Sequence, residues 1–284
     1  MSLSKKQKVL GALGLVAAVA LGFFAHNEYV WESTDDAYVQ AHVLMLAPRV
    51  GGTVAKVLVD ENQPVKAGQL LVSFEGQDYA TAHDQSLADV ASLKAESDQA
   101  QVDFARAARL LKQGVVTQQE YDQAKAKADG LQERLHAAEF RAKQAQLNLD
   151  YTQLTAPVDG FIAKRSVEPG MVVPAGQPLL GFVASGERWV TANFKETQLE
   201  LIRPGKPAEV TVDALPGRVF KGEVESLSSG TGSIFTLLPP DNSTGNFTKV
   251  VQRVPVRIKL PGLKPEDIVL LQAGLSAVVS VQVR

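Results

Sequence analysis

Apolar and polar positions follow two different periods along this chain of 284 residues. Residues 52–74 and 160–182 read GTVAKVLVDENQPVKAGQLLVSF and GFIAKRSVEPGMVVPAGQPLLGF, with the alternation that is typical of short β-strands. The two segments align without a gap at an offset of 108 residues (160 − 52), and ten of 23 positions are identical. The repeat predicts two halves of one β domain, each covering the apolar face of the other.

Glycines recur at fixed places in both copies of the repeat. Gly68 and Gly176 each follow an alanine in a KAG or PAG turn, where a positive φ is easiest for glycine. Gly52 and Gly160 open the two copies. We expect all four to be structural turn glycines.

Between the copies the apolar period changes to a heptad spacing, which is typical of packed helices. After Lys112, Gly114 is a helix stop, and TQQE at 117–120 is a capping box that starts a second helix. The pattern predicts an antiparallel coiled-coil hairpin with arms of about 34 residues, or roughly 50 Å. The first seam is Val90, Leu93, Ser97, Ala100, Phe104, Ala107 and Leu111, and the second is Tyr121, Ala124, Ala128, Leu131, Leu135, Ala138, Ala142, Ala145 and Leu149.

The last third of the chain consists of short runs with β-branched alternation, separated by Gly or Pro. RWVTANF, AEVTVDAL, FKGEVESL, QRVPVRIKL and LSAVVSVQVR predict a small β-barrel. YVQAHVLMLAP, from Tyr38 to Pro48, predicts one more strand on the N-terminal side. The Gly-, Ser- and Pro-rich stretch from Ser228 to Asn246 predicts a long loop.

The N-terminus carries an apolar run, Val9–Ala25, after three lysines. It is near the lower length limit for a tilted membrane span, and the lysines favour a cytoplasmic N-terminus. A cleaved signal peptide, cut after Ala18-Val19-Ala20, is the alternative. In either case we expect the chain after about residue 30 to lie outside the cytoplasmic membrane.

Composition and charge narrow the chemistry. The net charge of −2 and the lack of a long basic block argue against nucleic acid as a partner, and the absence of cysteine excludes disulfides and thiol chemistry. His26, His42, His83 and His136 lack the spacing of metal ligands. Asp35 and Asp36 are interpreted as a solvated turn. We predict no catalytic site, no metal and no cofactor.

The split repeat around a helical hairpin, closed by LTAPVDGFIAKRSVEPGMVV, resembles the lipoyl-like half-motifs of HlyD-type membrane fusion proteins. STDDAYVQAHV, RWVTANFKETQLELIRPG and GTGSIFTLLPPDNSTGNFTKVVQRVPVRIKL resemble the EmrA-like subgroup. The resemblance implies a mixed α and β, elongated multidomain chain. Its implied segments are a transmembrane anchor (1–30), a linker and barrel strand (31–46), a first lipoyl-like half (47–77), the hairpin (78–152), a second half (153–184) and a β-barrel (185–284).

The same resemblance implies a periplasmic adaptor without enzymatic activity. It would oligomerise as a trimer or hexamer and join an inner-membrane exporter, with a major-facilitator type favoured, to a TolC-like outer-membrane channel for multidrug export. Arg106, Leu110 and Thr117 match the spacing of the family's channel contact at the hairpin tip, with Thr in place of Ser. An adaptor for aromatic-acid efflux or ABC-driven secretion, and a lipoyl or biotinyl carrier subunit of an enzyme, are the alternatives.

Overall fold

The computed structural model describes residues 30–231 and 250–284. The predicted anchor and most of the predicted loop at Ser228–Asn246 lie outside these residues. Within them, no helix has the length and apolar character needed to cross a membrane. The chain divides into two compact units, which we call the clasp unit (residues 43–182) and the barrel unit (residues up to 42 and from 183 onward).

The clasp unit contains both copies of the repeat, and each copy forms strands with the other. In chain order the strands are β2 (Gly52–Val57), β3 (Pro64–Val65), β4 (Leu70–Phe74), β5 (Gln153–Thr155), β6 (Gly160–Arg165) and β7 (Val172–Val173). β2 of the first copy pairs with β7 of the second, and β3 pairs with β6. Each copy therefore needs strands of the other copy to complete its sheet.

The clasp has approximate two-fold symmetry, because its hydrogen bonds recur at the repeat offset of 108. The N–H of Asn62 donates to the carbonyl of Ile162 at 2.7 Å, and the N–H of Gly170 donates to that of Val54 at 2.8 Å. Val65 and Val173, the same position in the two copies, are both buried. The prediction that the copies close on each other is confirmed by these pairings.

Two of the four predicted turn glycines lie in turns. Gly68 and Gly176 have φ of +76° and +83°, in the left-handed region where a side chain is strained. Gly52 and Gly160 do not lie in turns, because each is the first residue of a strand and pairs with the opposite copy. The prediction of a turn was wrong for these two glycines, because each lies in a strand that pairs with a strand of the opposite copy.

Two long helices lie between the copies, α1 (Gln77–Lys112) and α2 (Gln118–Asp150), and pack against each other. Every predicted seam position in both helices is buried or half-buried. Ser97, the one polar residue in the seam, is buried and donates from Oγ to Oε1 of Gln132 at 3.2 Å. The helices are therefore antiparallel, and the supercoil of a coiled coil stays a prediction.

The hairpin begins and ends beside β4. The N–H of Phe74 donates to the carbonyl of Thr152 at 2.9 Å, just before α1 and just after α2. The hydroxyl of Tyr79, in the first turn of α1, donates to the carbonyl of Gly51 at 2.8 Å. The clasp strands thus bring the two ends of the helical insertion together.

The barrel unit is a closed ring of six strands. It uses the first part of β1 (Trp31–Leu46), the second part of β8 (Leu180–Lys195), and β9 (Pro207–Val212), β10 (Val219–Leu227), β11 (Arg253–Lys259) and β12 (Ser276–Gln282). The ring order is β1-β12-β9-β10-β11-β8, and β8 pairs again with β1. Alternate residues of β9 and β12 are buried, as a barrel wall requires. Its core includes Phe194, Ile202, Ile258, Leu271 and Val281.

The sequence did not indicate two features of the barrel unit. A short helix, α3 (Pro265–Leu270), precedes β12, and its six residues are too few to show a helical period. Asp35 and Asp36 are not in a solvated turn, because they lie within β1 at a register shift. There Asp36 accepts from Nδ2 of Asn193 at 3.1 Å and pairs with Arg253 at 3.0 Å. Cross-strand partners hold this carboxylate in the sheet.

Candidate interaction site at the hairpin tip

A five-residue turn, residues 113–117, joins the two helices. The N–H groups of Gly114 and Val115 donate to the carbonyls of Leu111 and Leu110, each at 3.0 Å. Gly114 has a φ of +72°, the left-handed conformation in which helices commonly end. The predicted stop at Gly114 is confirmed, and this tight turn keeps the tip narrow.

Thr117 starts α2 through the predicted capping box, which the structure confirms. Its hydroxyl accepts from the N–H of Glu120 at 3.3 Å, and its own N–H donates to Oε2 of Glu120 at 2.7 Å. Hydrogen bonds from the backbone and hydroxyl of Thr117 hold the pKa of the Glu120 carboxyl below its usual value. The hydrogen bonds to the Glu120 carboxylate are therefore strongest when Glu120 is ionised, and they weaken as the pH falls through that lowered pKa.

Arg106 and Leu110 lie on the last two turns of α1, four residues apart and so on neighbouring positions of one face. The Arg106 side chain is 60% exposed, and its Nη1 lies 3.2 Å from Oδ1 of Asp103. Leu110 is half-buried, because it flanks the seam. The tip therefore presents a charged group beside the edge of an apolar side chain.

The sequence did not single out the most exposed apolar residue of the tip. Val115 lies in the turn and is 66% exposed. Below it, the rings of Phe104 and Tyr121 meet across the seam with centroids 5.5 Å apart. The sequence did contain a signal for Val115. It is an apolar residue directly after the helix-stop glycine Gly114, at the far end of the predicted hairpin.

The tip has the character of a binding surface. Arg106, Arg109 and Lys112 near the end of α1 carry positive charge, whereas Glu120 and Asp122 at the start of α2 carry negative charge. Across residues 30–231 and 250–284, no group of three His, Asp or Glu side chains is placed to hold a metal ion. A small exposed turn with charged flanks can dock between the helices of a partner.

Two family models match the chain. One is described as RND MFP, barrel-sandwich hybrid domain, and covers residues 42–184. The other is described as CusB-like, beta-barrel domain, and covers residues 188–233. The first contains the clasp unit, and the second begins in the barrel unit.

Similar proteins share most of their length with the chain. The fatty acid resistance protein FarA of Neisseria gonorrhoeae is 37% identical over 87% of this chain and 75% of its own. The colistin resistance protein EmrA of Acinetobacter baumannii is 33% identical over 96% of this chain and 92% of its own. Among solved structures, the membrane fusion protein Spr0693 of Streptococcus pneumoniae R6 has the same fold, with a TM-score of 0.65 at 17% identity over 90% of this chain and 99% of its own.

The chain belongs to the membrane fusion protein family, whose members are the periplasmic adaptors of efflux pumps and non-enzymatic components of transport. Within this family it is an EmrA-like adaptor. The family assignment agrees with the clasp, the inserted helices and the barrel.

Proposed function

We propose that this adaptor joins a major-facilitator drug exporter in the inner membrane of a Gram-negative bacterium to a TolC-like outer-membrane channel. One observation carries the proposal: both ends of a helical insertion are fixed in the clasp, and its far end is a narrow exposed turn. The 36 residues of α1 give a reach of about 54 Å. The adaptor then supplies a conduit, and the exporter supplies the energy.

The names of similar proteins support multidrug export. They include a fatty acid resistance protein, a colistin resistance protein and multidrug export proteins. We propose that the exported compounds are likewise amphipathic toxic molecules. An adaptor for aromatic acids or for ABC-driven secretion would have the same fold, and co-purification of the exporter separates these cases.

We further propose that the apolar run at Val9–Ala25 anchors the chain in the inner membrane with its N-terminus in the cytoplasm, and that the copies assemble as a trimer or hexamer. Supporting this arrangement, the lysines precede the run and Trp31 follows it. In lipoyl and biotinyl carriers the modified lysine lies on a β-hairpin that joins the two half-motifs. Here the helical hairpin takes the place of that β-hairpin, which argues against a carrier function.

Leu110, Arg106 and Thr117 are the proposed channel contacts, and Leu110→Asp is expected to abolish resistance. A charge at a central apolar contact typically costs about 2 kcal/mol or more, or roughly thirtyfold in affinity. The measurement is the minimum inhibitory concentration of an exported drug in cells that depend on this adaptor, together with its amount in the membrane.

Two variants control this experiment. Leu87→Asp places the same charge on an exposed leucine near the base of α1 and should leave resistance unchanged. Thr117→Ser keeps the capping hydroxyl and should also retain resistance. Equal resistance in Leu110→Asp and Leu87→Asp cells would refute the tip contact.

A further inference from the structure

A cavity of about 450 Å³ opens on the barrel unit beside the start of β10. It lies between the first part of that strand with the residue before it, Arg218 to Lys221, and the turn after β11, Pro261 to Leu263. Cavities that hold drug-sized ligands have volumes of about 300–1,000 Å³. This cavity is therefore large enough for a small molecule, and the proposed channel contact makes no use of it.

A proline explains why the barrel wall has a gap here. The pairing of β10 with β11 reaches Glu223 and Lys259 at this end of the strands. Two residues later Pro261 has no N–H with which to extend the ladder, and Gly262 turns the chain with a φ of +73°. On its other side β10 stays paired with β9 as far as Val219. The side of β10 that faces the turn is thus left uncovered, and the cavity lies along it.

Arg218 lines the cavity, and contacts on one edge and one face hold its guanidinium in place. Its Nη2 donates to Oδ1 of Asp267, whose side chain is only 10% exposed. Oδ2 of Asp267 accepts from the N–H of Lys264 at 3.3 Å, so the carboxylate is itself fixed. The guanidinium carbon lies 5.2 Å from the centroid of the Phe220 ring.

The rest of the Arg218 guanidinium is available to a ligand. The side chain is 44% exposed, and within the described residues only Nη2 of its guanidinium nitrogens donates to a protein acceptor. A guanidinium is planar and stacks on flat rings through either face. Because one face of Arg218 lies over Phe220, the other face offers a flat, positively charged surface in the cavity.

Lys221 adds a second positive charge to the lining. Its side chain is exposed, and in the part of the chain that the structure describes no carboxylate forms an ion pair with it. Lys259 on the neighbouring strand differs, because its Nζ lies 3.2 Å from Oε2 of Glu223. Since Asp267 is already paired with Arg218, the ammonium group of Lys221 is the free charge of the cavity. A free ammonium group binds a carboxylate through charge-assisted hydrogen bonds.

Apolar side chains complete the lining and limit the kind of ligand. Val219 is 56% exposed, and Pro261 and Leu263 lie across the cavity from the strand. Three such side chains can cover the edge of a ring, but they are too few to enclose a long acyl chain. A flat ring that carries one carboxylate therefore matches the lining best.

We propose that this cavity binds a small aromatic carboxylate, with its ring on the guanidinium of Arg218 and its carboxylate at the ammonium group of Lys221. The site goes beyond the proposed adaptor function, because a conduit between an exporter and a channel needs no ligand site of its own. It also does not depend on which exporter the adaptor serves.

Isothermal titration calorimetry of the full chain in detergent tests the site, with salicylate as the probe. Salicylate should bind with a Kd below about 1 mM, which is in the range of a ligand of this size. Salicyl alcohol has the same ring and no charge, so it should bind at least about tenfold more weakly. Equal affinity for the two compounds, or no binding of salicylate, would overturn the proposal.

Two variants separate the roles of the cations. Lys221→Gln should weaken salicylate binding at least about fivefold, because the partner of the carboxylate is lost. Arg218→Lys keeps a charge beside Asp267 but removes the planar surface, and it should weaken binding by a similar factor.

The matched control is Lys195→Gln, which removes an exposed lysine at the end of β8 in the same unit. It should leave the affinity for salicylate unchanged. Equal affinities in the Lys221→Gln and Lys195→Gln chains would show that Lys221 does not hold the carboxylate, and the assignment of the cavity would then be wrong.

Discussion

Replacing residues 79–150 with a short Gly-Ser linker is expected to abolish drug resistance while the remaining chain stays folded. The strand pairs that hold the clasp, β2 with β7 and β3 with β6, lie entirely outside the hairpin. The N–H of Phe74 and the carbonyl of Thr152, only 2.9 Å apart, mark ends that a short linker can join. The clasp fold therefore needs only a short connection between Phe74 and Thr152, whereas the proposed function needs the two helices.

This replacement is read out by two measurements on the same cells. The minimum inhibitory concentration of an exported drug should fall to that of cells without the adaptor. The amount of adaptor in the membrane should equal that of the full-length protein. Full resistance with the shortened chain would contradict a conduit role for the hairpin, whereas disappearance of the chain would contradict the independence of the clasp.

Arg188→Ala is expected to give the largest loss of stability in the barrel unit. Arg188 is only 3% exposed, and burial lowers its pKa from the ordinary arginine value. Its Nε donates to the carbonyl of Leu271 at 3.1 Å, and its Nη1 donates to that of Ala184 at 2.7 Å. Among the described residues no carboxylate pairs with it, so carbonyl dipoles alone hold this charge.

Removing the guanidinium takes hydrogen-bond donors away from buried carbonyl oxygens, and each lost bond costs about 1–3 kcal/mol. We expect a total loss of roughly 3–5 kcal/mol in the free energy of unfolding. Both tryptophans, Trp31 and Trp189, lie in the barrel unit, so tryptophan fluorescence during urea unfolding reports on that unit. The measurement uses the full chain in detergent.

An exposed arginine of the same unit provides the control. Arg203 also donates to backbone carbonyls, those of Leu199 and Ile202, but from the surface. Arg203→Ala should change the unfolding free energy by no more than about 0.5 kcal/mol. If Arg188→Ala behaved like Arg203→Ala, the buried guanidinium would not be what fixes β8 to the segment after α3.

The sequence was sufficient for the features that depend on a repeated pattern. Ten identities at one offset predicted the clasp, and the heptad spacing predicted α1 and α2 with their seams. Gly114 and Thr117 located the turn because each has a specific conformational or capping role. These signals are local, so each can be recognised from neighbouring residues alone.

The features that the sequence missed depend on partners far along the chain. Asp36 pairs with Arg253 and Asn193, which only the closed barrel brings together. Gly52 and Gly160 lie in strands because of pairing with the opposite copy. Leu110 is half-buried because it flanks a seam shared by two helices. Burial at the edge of an interface is not encoded in the spacing of one helix.

Crosslinking from Leu110→Cys tests directly whether the hairpin tip docks on an outer-membrane channel. In a chain with no other cysteine, a thiol-directed photocrosslinker at this position should capture an outer-membrane channel protein in intact cells. The same reagent at Lys94→Cys, an exposed position midway along α1, should capture none. Capture of the channel from both positions, or from neither, would contradict docking through the hairpin tip.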